Sequence, residues 1–430
     1  MKTRLSIYIH IPFCVKKCLY CDFLSAPCEE ADRNEYVEAL IDEITYSLRP
    51  DEDLWDKYQV ESIFFGGGTP TLLSCEQIDR IFAALRERFG ISENAEITFE
   101  CNPGTVDEAK IQALVRNGVN RLSIGLQSAD DEELKRLGRI HNYEDFVRTY
   151  DMARQNGLHN INVDLMSAIP GQSLEDYRES LKKVLALKPE HISSYSLIIE
   201  EGTPYYKRYG DSLYDSVNEF EEDEDPETDT FVSSLPDLPD EDTEREMYYD
   251  TARYLGEAGY ERYEISNYAK PGKECIHNTG YWTGVDYLGF GLGASSYYRG
   301  VRYSNTEDFT DYIHKCHKLA MEENPNPYEE DEDETFDYLG QLQKEGYHEA
   351  IHPLTENERM EEYMFLGLRE MSGISIHRFY VNFHRDIFDV YGQALEKLSY
   401  QKLLIIEGDN IRLTDLGIDV SNQVLSNFLL

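Results

Sequence analysis

Tyr8-Ile-His-Ile-Pro-Phe-Cys14-Val-Lys-Lys-Cys18-Leu-Tyr-Cys21 places three cysteines within eight residues, directly behind a short hydrophobic strand. Thiolates are soft donors that suit zinc and iron-sulfur clusters, and a short loop can turn three of them towards one centre. A tetrahedral zinc site, or a cluster ligated wholly by protein, wants a fourth ligand nearby. The residues alone leave three readings: a cluster loop, a zinc loop, or three unconnected thiols. The rest of the chain has to choose between them.

The 430 residues allow two or three domains with a large core, and 41% hydrophobic with 12% aromatic residues mark a globular chain. No stretch approaches the roughly 18 uninterrupted apolar residues of a membrane span. A strand is expected within about five residues of Met1, which leaves no room for a signal peptide. Cys28, Cys75, Cys101, Cys275 and Cys316 are scattered without a disulfide-like pattern, so a reducing cytoplasm is expected. A formal charge of -42 argues against nucleic-acid binding and against general attachment to anionic membranes. That charge is uneven: residues 211–250 carry seventeen acids against one Arg, and residues 322–349 eleven acids against one Lys. Blocks such as Glu221-Glu-Asp-Glu-Asp225 and Glu329-Glu-Asp-Glu-Asp-Glu334 repel themselves and bury little, so they read as solvated insertions or linkers.

Between residues 4 and 200 strand-like and helix-like segments alternate. Ile63-Phe-Phe65 precedes a helix over 75–89, Glu96–Phe99 one over 107–117, and Arg121–Leu126 two more over 130–137 and 142–156. Asn160–Met166 and His191–Leu197 continue the series, with the helix Leu174–Leu187 between them. This alternation predicts an α/β fold with a parallel sheet and right-handed crossovers. Five or six units in about 200 residues fit a partial TIM-like (β/α)6 barrel, whose chemistry sits at the C-terminal strand ends. An open doubly wound sheet is the alternative.

Polar residues fall where a barrel would use them. Gly66-Gly67-Gly68-Thr69-Pro70 follows the strand at Phe65, and glycines let a backbone approach a ligand closely. Glu100 ends its strand, Gln127 follows Leu126, Arg139 stands twelve residues later, and Asp164 lies in Asn162-Val-Asp164. Each alone reads as a cap or surface residue; together they ring one mouth.

These motifs resemble the radical S-adenosylmethionine (SAM) family, in the branch that holds the oxygen-independent coproporphyrinogen III dehydrogenases and the HemW haem chaperones. The resemblance runs from the first strand to about residue 205, resumes near 235 and continues to the C-terminus. It implies that Cys14, Cys18 and Cys21 hold a [4Fe-4S] cluster with one iron left open, which the amino and carboxylate groups of SAM complete. It further implies that Tyr8, Gly67, Gly68, Thr69, Glu100, Gln127, Arg139 and Asp164 contact SAM, with Arg139 suited to its carboxylate. Phe23 stands where the dehydrogenases carry a further cysteine. His277-Asn-Thr-Gly-Tyr281-Trp282 is similar to the H-N-x-x-Y-W signature of the haem chaperones. Imidazole can ligate haem iron and aromatic rings can stack on a porphyrin, so His277, Tyr281 and Trp282 are candidate haem contacts.

The expected organisation is a radical SAM core over 1–205, an acidic insertion over 206–245, and a barrel extension with the haem motif over 246–320. An acidic linker over 321–354 and a winged-helix-like domain over 355–430 complete it. In the last of these, helices over 358–370 and 387–398 precede a hairpin from Leu403-Leu-Ile-Ile406 to Ile411-Arg-Leu413 and a final helix over 414–429. Asp286–Ser296 reads as a structural glycine-rich segment, and Tyr297–Tyr303 as one strand. The resemblance implies a cytoplasmic haem chaperone with SAM, haem, an electron donor and a haem-acceptor protein as partners, and peripheral contact with membrane haem proteins without a membrane segment. Coproporphyrinogen III oxidation is the enzymatic alternative, and another radical SAM reaction such as methyl transfer a third.

Overall fold

The computed structural model describes residues 2–48, 53–210, 226–321 and 337–430. Both acidic runs, Glu221–Asp225 and Glu329–Glu334, lie outside the described residues. At the centre stands β1 (Thr3–Ile11), followed by β2 (Tyr58–Gly67), β3 (Ile91–Cys101), β4 (Arg121–Gln127), β5 (Ile161–Ser167) and β6 (His191–Ser196). These six pair in chain order and in parallel, from β1 with β2 through to β5 with β6. A doubly wound sheet reverses direction at a switch point. Here no reversal occurs, so successive right-handed crossovers wind the sheet towards a barrel.

Further strands extend both edges. Short β7 (Glu261–Arg262) and β8 (Asn267–Ala269) lie beyond β6, while β9 (Asp286–Phe290) pairs in parallel with the other side of β1. Antiparallel β10 (Ser295–Tyr298), β11 (Val301–Asn305) and β12 (His348–Pro353) complete a twelve-stranded sheet, in the order β12-β11-β10-β9-β1-β2-β3-β4-β5-β6-β8-β7. The single strand expected over 297–303 is therefore a hairpin. Arg299 and Gly300 both have positive φ (52° and 75°), the combination a tight two-residue turn requires.

Helix starts are written in the sequence. Ser74, Asn142 and Ser173 each close a reciprocal capping box, and Asp107 caps Glu108–Arg116. Each helix turns an apolar stripe onto the outer face of the sheet. Ile78, Ile81, Phe82 and Leu85 meet a core that includes Phe65 and Phe99.

The strip read as an acidic linker over 321–354 needs correction. Residues 338–353 fold as a helix (Tyr338–Glu345) and β12, with Leu342 and Tyr347 fully buried in the main core. Eight of the eleven acids of residues 322–349 fall before residue 337, and the apolar residues behind them have a place to go. Likewise the helix Glu241–Glu257 runs across residue 245 without a break, burying Met247 and Leu255.

The C-terminal unit has its own core of Met360, Met364, Leu368, Phe379, Leu395 and Phe428, among others. Its small antiparallel sheet consists of β13 (Ile374–Ser375), β14 (Leu404–Glu407) and β15 (Asn410–Leu413), with β15 in the middle. The final helix expected over 414–429 is broken at Val420, whose φ of -120° and ψ of 32° leave the helical region. Two short helices, Asp415–Asp419 and Ser421–Leu425, and a last 3-10 turn take its place, seating Val424 and Phe428 in the core. No helix among the described residues is long and apolar enough to cross a membrane.

Candidate functional site

The cysteine loop is tied at its base. Cys14 N–H donates to Ala26 O (3.0 Å) and Ala26 N–H to Pro12 O (2.9 Å), closing the loop like one rung of a ladder. Its middle is anchored by Leu19, 5% exposed, which sits among Leu137, Met166 and Tyr205 while its backbone bonds to Leu137 and Tyr205. His10 holds the far end: its Nε2 lies 2.8 Å from Leu24 O, which can only accept, so the proton is on Nε2 and Nδ1 accepts from Tyr8 OH at 3.1 Å.

Above this loop runs the glycine turn from the end of β2. A Cβ on Gly67 (φ 112°) would stand 2.6 Å from the His10 ring, and one on Gly68 would stand 2.6 Å from Phe13 O and 3.0 Å from Cys14 Sγ. Only glycine lets the turn lie this close to the cysteines. Gly68 N–H donates to Ile11 O at 2.9 Å, fixing that approach.

Cys14, Cys18 and Cys21 are free thiols facing one cavity of about 340 Å³. Gly67, Gly68, Thr69, Glu100, Gln127, Arg139 and Asp164 line the same cavity. Tyr8 does not line it and instead stands behind Gly66 and Phe64, stacked on the Phe64 ring at 6.3 Å. A polar chain joins the cavity to the sulfurs. The Arg139 guanidinium donates to Asn102 Oδ1 (2.6 Å), Gly125 O (2.7 Å) and Cys18 Sγ (3.5 Å). Asn102 Nδ2 then donates to Thr69 Oγ1 (2.6 Å), which donates to Cys14 Sγ at 3.7 Å.

Among the lining residues that escaped the sequence reading are Asn102 and Arg121. Arg121 is 2% exposed, lines the cavity, and stands near Glu96, Asp164 and Cys275. The missed signal is the alternation in β4: Arg121, Ser123, Gly125 and Gln127 all line the cavity, while Leu122, Ile124 and Leu126 lie in the surrounding core. The barrel thus has a polar inner face and an apolar outer one. Gln127 takes up its position with a left-handed φ of 73° at a register shift against β5, and accepts from Tyr195 OH at 3.0 Å.

The cavity presents ionisable groups of both signs. Burial, reinforced by the nearby Asp164 carboxylate, pushes Glu100 up to about 8. Burial also raises Asp164, against hydrogen bonds from Asn162 and Ser193. Nε of both Arg121 and Arg139 is buried without a hydrogen-bond partner among the described residues, so donor capacity is left for an anionic group. Carboxylates beside spare guanidinium donors suit a zwitterion that carries a further positive charge, which is the charge pattern of SAM. No three His, Cys, Asp or Glu side chains among the described residues converge as a single metal ion would require. A four-iron cube holds its thiolates at separate corners, so three thiols around one cavity fit it better than they fit zinc.

The residues of the His277–Trp282 motif divide between two cavities. They sit on a short helix, Ile276–Trp282. Asn278 lines the cysteine cavity, whereas Tyr281 and Trp282 line a second cleft of about 300 Å³ beside the C-terminal unit. His277 lines neither. It is 1% exposed, with Nδ1 3.0 Å from Ser62 Oγ and Nε2 2.9 Å from Tyr281 OH. Ser62 donates onward to Ser6, so Nδ1 carries the proton and Nε2 accepts from Tyr281. Burial and then Arg121 hold the ring neutral, lowering it to about 3. In this arrangement, the expectation that His277 offers a free nitrogen to haem iron is not met.

Residues 8–184 match the profile of the Radical SAM superfamily, and residues 354–420 that of the HemN C-terminal domain. The chain is 32% identical over 425 residues to the haem chaperone HemW of Lactococcus lactis, covering 99% of this chain and 97% of the relative. It is 40% identical over 291 residues to HemW of Escherichia coli, covering 67% of this chain and 69% of that one. Among solved structures, the coproporphyrinogen III oxidase HemN of Escherichia coli superposes with a TM-score of 0.77 over 99% of this chain and 90% of its own, at 21% identity, a likeness of fold. With glycine turn and cysteine loop built against each other at the mouth of a six-unit parallel barrel, the chain belongs to the HemW family of radical SAM proteins.

Proposed function

We propose that this protein is a cytoplasmic haem chaperone, which holds a [4Fe-4S] cluster with exchangeable SAM, binds haem, and hands it to an acceptor protein. The observation that carries this reading is the motif helix Ile276–Trp282, which presents Asn278 to the cysteine cavity and Tyr281 with Trp282 to a separate cleft. One helix thereby touches both places where a ligand would sit. The relatives named as haem chaperones at 32% and 40% identity support the same reading.

In it, Cys14, Cys18 and Cys21 hold the cluster, and Gly67, Gly68 and Thr69 let SAM approach it. When bound, the cluster supplies an electron that can cleave a sulfonium carbon–sulfur bond. Arg139 and Arg121 offer donors to the SAM carboxylate, while Glu100 and Asp164 accept from its ammonium or ribose hydroxyls. Gln127, held by Tyr195, borders the same space. Tyr8 acts from behind, steadying His10 and so the cysteine loop. His277 positions Tyr281, and Tyr281 with Trp282 meets the haem.

The test is performed on anaerobically purified full chain. The carrier reading expects stoichiometric haem binding by absorbance titration, iron and sulfide near four each, and a SAM-induced change in the electron paramagnetic resonance spectrum. Conversion of coproporphyrinogen III to protoporphyrinogen with release of carbon dioxide would overturn it in favour of the oxidase. Zinc in place of iron would remove the cluster altogether.

A further inference from the structure

The second cleft lies between the barrel edge and the C-terminal unit, held together there by the Arg302–Glu362 pair (Nε to Oε1 2.5 Å, Nη2 to Oε2 2.9 Å) and by Met371 N–H donating to Tyr263 O at 2.9 Å. Its walls are rich in rings. Tyr281 meets Tyr287 edge-on at 4.7 Å on the barrel side, and Tyr363 meets Phe383 edge-on at 5.9 Å on the other. Trp282 reaches it from the motif helix, backed by Arg369 over its ring at 4.6 Å, and its buried indole N–H has no partner among the described residues. Buried indole donors ordinarily find one, so an acceptor is wanted here.

The cleft also holds unmatched cations in a chain where 83 acids face 41 bases. Arg302 is paired with Glu362, but Arg359 and Arg378 also line the cleft, and neither is in a salt bridge among the described residues. The one other acid of the lining, Glu370, is pushed up by burial, against a hydrogen bond from Ser372 and the charge of Arg378. Aromatic walls with two guanidinium groups fit a planar apolar ring that carries carboxylates, because guanidinium groups recognise carboxylates in a paired, two-bond geometry.

We propose that this cleft seats the carboxylate-bearing edge of the haem, with Arg359 and Arg378 on its propionates and Trp282 and Tyr363 against its ring. The assignment rests on the haem-carrier reading above. A cavity of about 300 Å³ is smaller than a whole macrocycle, so the opposite edge remains at the mouth, open to an acceptor. The seat is separate from the cysteine cavity, and haem and SAM bind together.

The experiment titrates the full, cluster-loaded chain with haem and with haem dimethyl ester, reading the Soret band. The unmodified protein is expected to bind the free acid at least tenfold more tightly than the ester. The Arg359→Ala, Arg378→Ala double variant is expected to lose at least tenfold in haem affinity and to bind acid and ester alike, while its iron content and SAM-induced spectral change stay as in the parent. Equal binding of acid and ester by the unmodified protein overturns the assignment without recourse to any variant. So does a folded double variant that keeps both affinity and preference; in either case the carrier reading stands. A parent chain that binds no haem at all removes the carrier reading, and this seat with it.

Discussion

Replacing Gly68 with alanine tests whether the glycine turn and the cysteine loop were built for each other. The added Cβ would lie 2.6 Å from Phe13 O, 2.9 Å from Phe13 C and 3.0 Å from Cys14 Sγ. Two of these atoms are backbone, and that backbone is pinned by the Gly68–Ile11 and Cys14–Ala26 hydrogen bonds, so no side-chain rotation relieves the clash. Overpacking of this kind costs about 1–3 kcal/mol. If the loop gives way rather than the strand, the loop geometry becomes about five- to 150-fold rarer, at about 1.4 kcal/mol per tenfold. We expect the variant to fold, to retain well under half of the parent's iron and sulfide after anaerobic reconstitution, and to lose the SAM-induced spectral change. The control is Gly256→Ala in the helix Glu241–Glu257, where a Cβ meets nothing within 4 Å and helix propensity should add about 0.5–1 kcal/mol. A Gly68→Ala protein with full iron content and a normal response to SAM would refute the argument.

Three further outcomes are expected. Glu100, raised to about 8 in the ligand-free protein, is protonated at pH 6.5 and ionised at pH 9, so affinity for the permanently charged sulfonium of SAM should rise with pH through about 8, and calorimetry at pH 7 should detect proton release; a flat profile, or one that Glu100→Gln does not flatten, counts against the assignment. Glu43 is fully buried, accepts from Tyr312, Gly291 and Asn305, and is raised to about 7 by burial. A carboxyl raised above its unfolded value costs stability as pH climbs from about 4.5 to 7, here about 3 kcal/mol at about 1.4 kcal/mol per unit, so Glu43→Gln should gain stability relative to the parent over that window in denaturant melts; a difference independent of pH would sink this. Tyr281→Phe leaves His277 Nε2 buried without its donor, which should cost about 1–3 kcal/mol. An unchanged melting curve would mean that the Tyr281 hydroxyl does not hold the His277 ring in place.

Much of the site was legible because its chemistry is local. Cysteine spacing, the glycine run after Phe65, and the polar residues closing successive strands are all one-dimensional signals, and Cys14, Cys18, Cys21, Gly67, Gly68, Thr69, Glu100, Gln127, Arg139 and Asp164 are all found around one cavity. Arg121 was not legible by the same route, since an arginine opening a strand looks like a surface cation until the strand's inner face is recognised. Asn102 sat in plain view after Glu100, yet its value lies in touching Thr69 and Arg139, which are 33 and 37 residues away. The hairpin over 295–305 was hidden because Arg299 gives no warning of a left-handed backbone.

By itself the sequence determined the alternation of strands and helices and the motifs that resemble the family, because hydrophobic periodicity and short-range ligand spacing are carried by neighbouring residues; the strand order that excludes a doubly wound sheet came from the structure. Only the tertiary structure decided that Tyr8 stands behind the cavity, that His277 commits both ring nitrogens to Ser62 and Tyr281, and that Trp282 faces a different cleft from Asn278. Those are facts about which way a side chain points once a helix is docked. Asn278 and Trp282 are four residues apart, one turn and about 6 Å along the helix axis, so a single short helix spans from one cavity to the next.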